Sequence, residues 1–98
     1  RGTTIAGATV SRVDPPNQTT TGWLHLAQTF DKAGNVMRAY LNGAQTGANQ
    51  TGLGTWAGQP LTVRIGSVAG ANFWSGQIAH VAIFPLLTPA QIATIGVP

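Results

Sequence analysis

A chain of 98 residues with no Cys, no Glu and only two Asp has room for one domain and a modest core, burying roughly two-thirds of its unfolded surface. The missing cysteines exclude disulfides, thiolate metal sites and cysteine nucleophiles. The net charge of +3 is spread over Arg1, Arg12, Lys32, Arg38 and Arg64, with no basic run and no nucleic-acid motif, so nucleic acid is not an expected partner.

Charged residues make up 7% of the chain, against about 25% in ordinary usage, so little repulsion opposes self-association. No apolar run reaches the roughly 18 residues a membrane helix needs, and membrane insertion is not expected. The chain begins with Arg rather than Met and shows no signal peptide. A processed or truncated N-terminus is therefore the expectation.

In chain order, Arg1 to Val13 alternates loosely around Ile5 and Val10 and predicts one or two edge strands. Residues 14–21, with Pro15 and Pro16 ahead of a polar run, predict a loop. Trp23 to Phe30 and Val36 to Asn42 predict two strands joined by Asp31-Lys32-Ala33-Gly34, with Asp as turn former and Gly34 free to take positive φ. The expected register sets Phe30 opposite Asn35, Gln28 opposite Met37, Leu26 opposite Ala39 and Leu24 opposite Leu41. That places Leu24, Leu26, Phe30, Met37, Ala39 and Leu41 on a core face, and Trp23, His25, Arg38 and Tyr40 on a half-exposed one.

Asn42-Gly43 is a strong hairpin signal leading into a polar strand from Ala44 to Thr51. Gly52 to Pro60 predicts a glycine-rich loop holding Trp56. Leu61 to Gly66 predicts a strand with Leu61, Val63 and Ile65 inward, and Ser67 to Asn72 a small-residue loop. Phe73 to Phe84 predicts the longest strand, with a β-bulge near Ala79-His80 where the inward phase shifts. Thr88-Pro89-Ala90-Gln91-Ile92 predicts a helix start over residues 88–95: Thr88 as N-cap, Pro89 in the first position, Gln91 completing a capping box, and Ile92 with Ile95 pinning the turn down.

Trp23-Leu24-His25-Leu26-Ala27-Gln28-Thr29-Phe30, a turn, then Arg38-Ala39-Tyr40-Leu41-Asn42-Gly43 resembles the signature hairpin of the laminin-G-like, concanavalin-A-like jelly rolls. Leu61 to Gly66, Phe73 to Phe84 and Leu87 to Ala93 fit the same pattern in order and spacing, so residues 22–95 are covered. The resemblance implies an all-β fold: an antiparallel jelly-roll β-sandwich with a short C-terminal helical turn, as one shortened domain over residues 1–98. It also implies that Trp23 and Trp74 are buried and that the His25 ring packs on the sheet; His80 stands where the family often has an acid. The family fold usually needs about twice this length, and this chain matches its C-terminal half. A minimal sandwich, a fragment, and sheets completed by a neighbouring chain all remain open, the last through an unpaired edge in Arg1 to Val13.

Glycoside hydrolysis requires two carboxylates about 5–10 Å apart. Only Asp14 and Asp31 are present, each reading as a turn former, and nothing matches the Glu-rich catalytic strand of related glucanases. A Ser-His-Asp triad from Ser11, Ser67 or Ser75 with His25 or His80 has no nucleophile-elbow motif behind it. The expectation is no enzyme. It is also no cofactor, apart from a weak Ca²⁺ site at Asp31 with backbone carbonyls, because Ca²⁺ takes roughly six to eight oxygens, usually including acids. Asn17-Gln18-Thr19 and Asn49-Gln50-Thr51 match the N-glycosylation pattern.

Neutral glycans are recognised by aromatic stacking with planar amides and hydroxyls, which makes Trp56, Tyr40, Arg38, His25 and Asn72 the candidate ligand-binding residues. Against this stand a Trp56 that closes the end of the core and a His25–Tyr40 cross-strand pair that merely supports the sheet. The sequence therefore predicts a non-catalytic module, extracellular, secreted or on a virion surface, binding carbohydrate or a cell-surface partner. The alternative is a structural subunit that self-assembles into a particle or filament, its sandwich completed by neighbouring chains.

Overall fold

Asn42 and Gly43 have φ of 50° and 80°, the two left-handed conformations that a type I′ hairpin turn requires and that Asn and Gly tolerate best. Around that turn the central sheet is built. The computed structural model describes residues 2–6 and 9–13 as backbone, together with residues 21–53, 65–67 and 73–97. Its strands are β1 (Gly2–Ala6), β2 (Thr9–Val13), β3 (Leu26–Asp31), β4 (Val36–Leu41) and β5 (Ala44–Thr51), followed by the helix α1 (Pro89–Ile95). β1 and β2, two strands where the loose alternation predicts one or two, form an antiparallel pair with Gly2 opposite Val13. β3, β4 and β5 form an antiparallel sheet in that order, and β2 lies close to β4 and β5. The described residues are thus mostly β with one short helix, and they do not draw a full jelly-roll sandwich.

The β3–β4 register differs from expectation by two residues. Leu26 lies opposite Leu41, Ala27 opposite Tyr40, Gln28 opposite Ala39, Thr29 opposite Arg38 and Phe30 opposite Met37. A shift of two preserves the faces, because side chains alternate with period two. Its cause is the loop: Asp31 belongs to β3, and the turn is Lys32 to Asn35. The Gly34 N–H donates to Asp31 Oδ1 at 2.8 Å and the Asn35 N–H to the Lys32 carbonyl at 3.2 Å. Asn35, at φ 52°, rather than Gly34, takes the left-handed conformation.

Burial follows position in the sheet more than alternation. β4 is the middle strand, and Val36, Met37, Ala39 and Tyr40 are all buried. Tyr40, expected half-exposed, is only 2% exposed. β3 is an edge strand, and Leu26 and Phe30, expected in the core, are about half exposed; Leu24 and Leu41 are half-buried. Met37 and Ala39 are covered by Leu53, whose N–H donates to Asn35 Oδ1 at 2.8 Å. Burying side chains such as Met37 and Leu53 contributes about 1.5–3 kcal/mol each.

The C-terminal third departs furthest from expectation. Phe73 to Phe84 contains no strand and no bulge, and Trp74 is exposed, as is Trp23 ahead of β3. Neither tryptophan sits in a ladder that could turn its ring inward. Ile65 is likewise exposed rather than inward, while the rest of the Leu61–Gly66 strand prediction lies outside the described residues. The Trp74 N–H donates to the Gly66 carbonyl at 2.6 Å, so these two stretches meet at Gly66.

α1 forms as its signals predict. Thr88 Oγ1 accepts from the Gln91 N–H at 3.3 Å, and Gln91 Oε1 accepts from the Thr88 N–H at 2.9 Å. Ile92 is buried; Ile95, expected beside it, is exposed. The helix end rests on the hairpin turn: a Cβ on Gly43 would lie 3.0 Å from Ala93 Cα, and one on Gly96 would collide with the Gly43 backbone.

Asn35 serves both the turn and the core, and two variants separate these roles. Asn35→Gly keeps the backbone freedom but loses the bond to the Leu53 N–H, an expected cost of about 1 kcal/mol. Asn35→Ala adds left-handed strain of about 1–2 kcal/mol. Urea unfolding should rank wild type above Asn35→Gly and Asn35→Gly above Asn35→Ala. Equal stability of wild type and Asn35→Gly would mean that the Leu53 bond contributes nothing.

Candidate functional site

Three of the five candidate ligand-binding residues fall within the described structure. Arg38 and Tyr40 share one face of β4, and His25 precedes β3 on the side that pairs with Asn42. Arg38 is half-buried opposite Thr29. The buried Tyr40 has Ala27 on one side and Gln45 on the other, so the expected half-exposed ring and the expected His25–Tyr40 cross-strand pair are both absent. Trp56 and Asn72 lie outside the described residues.

His25 is clamped through its backbone. Its N–H donates to Asn42 Oδ1 at 2.9 Å, and its carbonyl accepts from the Asn42 N–H at 2.8 Å. The ring is half-buried, and its Nδ1 is shielded from solvent with no hydrogen-bond partner among the described residues.

The least regular and most polar part of the sheet lies beside Arg38. Across β4 and β5, Met37 pairs with Gln50, whereas Ala39 pairs with Thr46. One residue of β4, Arg38, therefore faces three of β5: Gly47, Ala48 and Asn49. Gly47, at φ 75°, takes up the bend. All three are exposed. Gln45 holds the irregularity in shape, its Nε2 donating to Asn49 Oδ1 at 2.8 Å and reaching the Gly47 carbonyl at 3.5 Å. The result is an exposed bulge carrying two amides, with a guanidinium-bearing residue across the ladder.

The sequence singles out Arg38 as a candidate and marks Asn49-Gln50-Thr51 only as a glycosylation pattern; it misses Gln45. Its signal was Gly47, since a glycine inside a strand pattern marks a bulge, and a bulge needs something to staple it.

Chemically, this face offers hydrogen bonds and one cation. Asp31, the only carboxylate among the described residues, has Oδ1 engaged in closing its turn; Asp14 lies outside them. No group of three or more His, Cys, Asp or Glu that could hold a metal ion occurs among the described residues. Nor is any described helix long and apolar enough to cross a membrane. A shallow apolar groove of about 280 Å³ lies elsewhere, between Phe84, Leu87 and the α1 residues Gln91, Thr94 and Ile95.

Among known proteins, a laminin G family model described as the concanavalin A-like lectin/glucanases superfamily matches residues 2–93. No curated protein and no solved structure matches the chain significantly.

Gln45→Ala removes the staple without touching the core. The β5 amides at residues 47–49 should then exchange faster with solvent, while overall stability falls by no more than about 1 kcal/mol. Unchanged exchange there would show that the bulge is held by its backbone alone.

Proposed function

The chain belongs to the concanavalin A-like lectin/glucanases superfamily, and from that premise we propose that it is a non-catalytic module, extracellular, secreted or displayed on a virion surface, that binds carbohydrate or a cell-surface partner. The observation that carries the reading is the bulge beside Arg38, where Gln45 and Asn49 present amides from an exposed, fixed backbone. Guanidinium and amide groups can match the donor and acceptor pattern of neutral sugar hydroxyls without demanding a charged ligand. Trp56 joins the site by sequence, as a large aromatic in a glycine-rich stretch able to stack on a sugar face, and Asn72 adds a further amide. Tyr40 and His25 act from beneath as supports, since one is buried and the other held by Asn42.

A binding role is favoured over hydrolysis because cleavage requires two free carboxylates across the bond. The chain has only Asp14 and Asp31, and Asp31 caps a turn.

A glycan array followed by calorimetry on the best ligand tests the reading. Trp56→Ala and Arg38→Gln should each weaken binding about tenfold or more, equivalent to ~1.4 kcal/mol, with unchanged circular dichroism. Unaltered affinity in both variants would remove this face from the site. Turnover of any glycan that depends on Asp14 and Asp31 would replace the binding role with a catalytic one.

A further inference from the structure

We infer that Asn42 is a site of spontaneous deamidation whose reaction the fold gates: closed while the hairpin turn and the end of α1 are in contact, open when they part. The inference is independent of the glycan reading and uses the Asn42-Gly43 turn rather than the β5 bulge.

The reaction is intramolecular. The Gly43 backbone nitrogen attacks Asn42 Cγ, the Cγ–Nδ2 bond breaks, and ammonia leaves with the proton that the Gly43 N–H gives up. Water then opens the cyclic imide at either carbonyl, leaving aspartate or isoaspartate. A bulky residue after the asparagine obstructs the attack. Of the five asparagines, Asn17, Asn35, Asn49 and Asn72 precede Gln, Val, Gln and Phe, and Asn42 alone precedes glycine. Asn42 is also exposed, so water reaches it.

The folded turn withholds both reacting groups. Asn42 Oδ1 accepts from the His25 N–H at 2.9 Å, which holds the side-chain amide toward the start of β3. Ring closure has to swing Cγ onto the Gly43 nitrogen and away from that bond. It also has to twist the Asn42 backbone out of its left-handed turn conformation, at φ 50°. The nucleophile is covered as well: a Cβ on Gly96 would overlap the Gly43 nitrogen, so the end of α1 lies directly against it. α1 is in turn anchored by the buried Ile92.

Slow chemistry on a transiently opened state tracks the population of that state when closing is fast. Asn42 therefore records how often the turn and the helix end separate. The two products differ in their effect. Aspartate keeps an oxygen acceptor for the His25 N–H. Isoaspartate inserts an extra carbon into the backbone of a two-residue turn, which spoils its match to the strand twist and leaves the modified copies open. Either product adds a negative charge to a chain at +3.

Incubation of the chain at neutral pH, folded and in concentrated urea, followed by peptide mapping with mass spectrometry, tests this. In urea, Asn42 should deamidate ahead of the other asparagines. In the folded chain its rate should be lower by about tenfold or more. Ile92→Ala, which loosens α1, should raise the folded-state rate about threefold or more and leave the rate in urea unchanged. Equal rates in the folded and urea-unfolded chain, another asparagine reacting first in urea, or a folded Ile92→Ala variant reacting no faster than wild type each overturns the proposal. If Ile92→Ala fails to fold, wild type in urea below its unfolding transition decides. Acceleration at Asn42 ahead of global unfolding supports the gate. A rate that rises only with global unfolding would mean that turn and helix do not part on their own, and overturns it.

Discussion

The two-residue turn Asn42-Gly43 is the constraint on which most of the described structure depends. Its left-handed backbone reverses β4 into β5 with a twist that matches the strands. The Asn42 side chain and N–H together grip the His25 backbone, which fixes where β3 begins. Gly43, having no side chain, lets the end of α1 lie against the turn, with Ala93 and Gly96 at backbone distance. One dipeptide therefore connects three strands and the helix. Any larger residue at Gly43 would meet both an unfavourable φ and the helix backbone.

The consequence is a sheet with a well-specified centre and two different margins. β4 is the best-buried strand: Leu53 covers Met37 and Ala39, and β2 lies close to β4 and β5. On the β5 side the ladder loses register at Gly47–Asn49 and becomes polar and exposed; on the β3 side Leu26 and Phe30 stay half exposed. The proposed recognition by amides and Arg38 uses the first of these margins.

The local signals were legible in the sequence. Thr88, Pro89 and Gln91 announce the helix cap, Asn42-Gly43 announces the turn, and the resemblance built on the Trp23–Gly43 hairpin led to the superfamily. What was not legible depended on contacts distant in sequence. The two-residue register error arose because Asp31 can either open a loop or end a strand, and period-two alternation does not distinguish registers two apart. Tyr40 looked amphipathic beside Arg38, but its burial depends on β2, which is far away in sequence and lies close to β4. The inward placement of Trp23, Trp74 and Ile65 assumed strand partners that the described residues do not provide. At the candidate site, Arg38 could be named, whereas the Gln45 staple required knowing that β5 carries extra residues opposite Arg38.

Native-state amide exchange on the wild type and on Gly43→Ala tests the central role of the turn most directly. The informative amides are Asn42, bonded to the His25 carbonyl, and Gly96, bonded to Ile92. If the turn couples the hairpin to the helix, Gly43→Ala should accelerate exchange at both sites together while the middle of β4 remains the slowest region. Loss of protection at Asn42 with Gly96 unaffected would show that the helix docks independently, and would contradict the account of one dipeptide holding strands and helix in place.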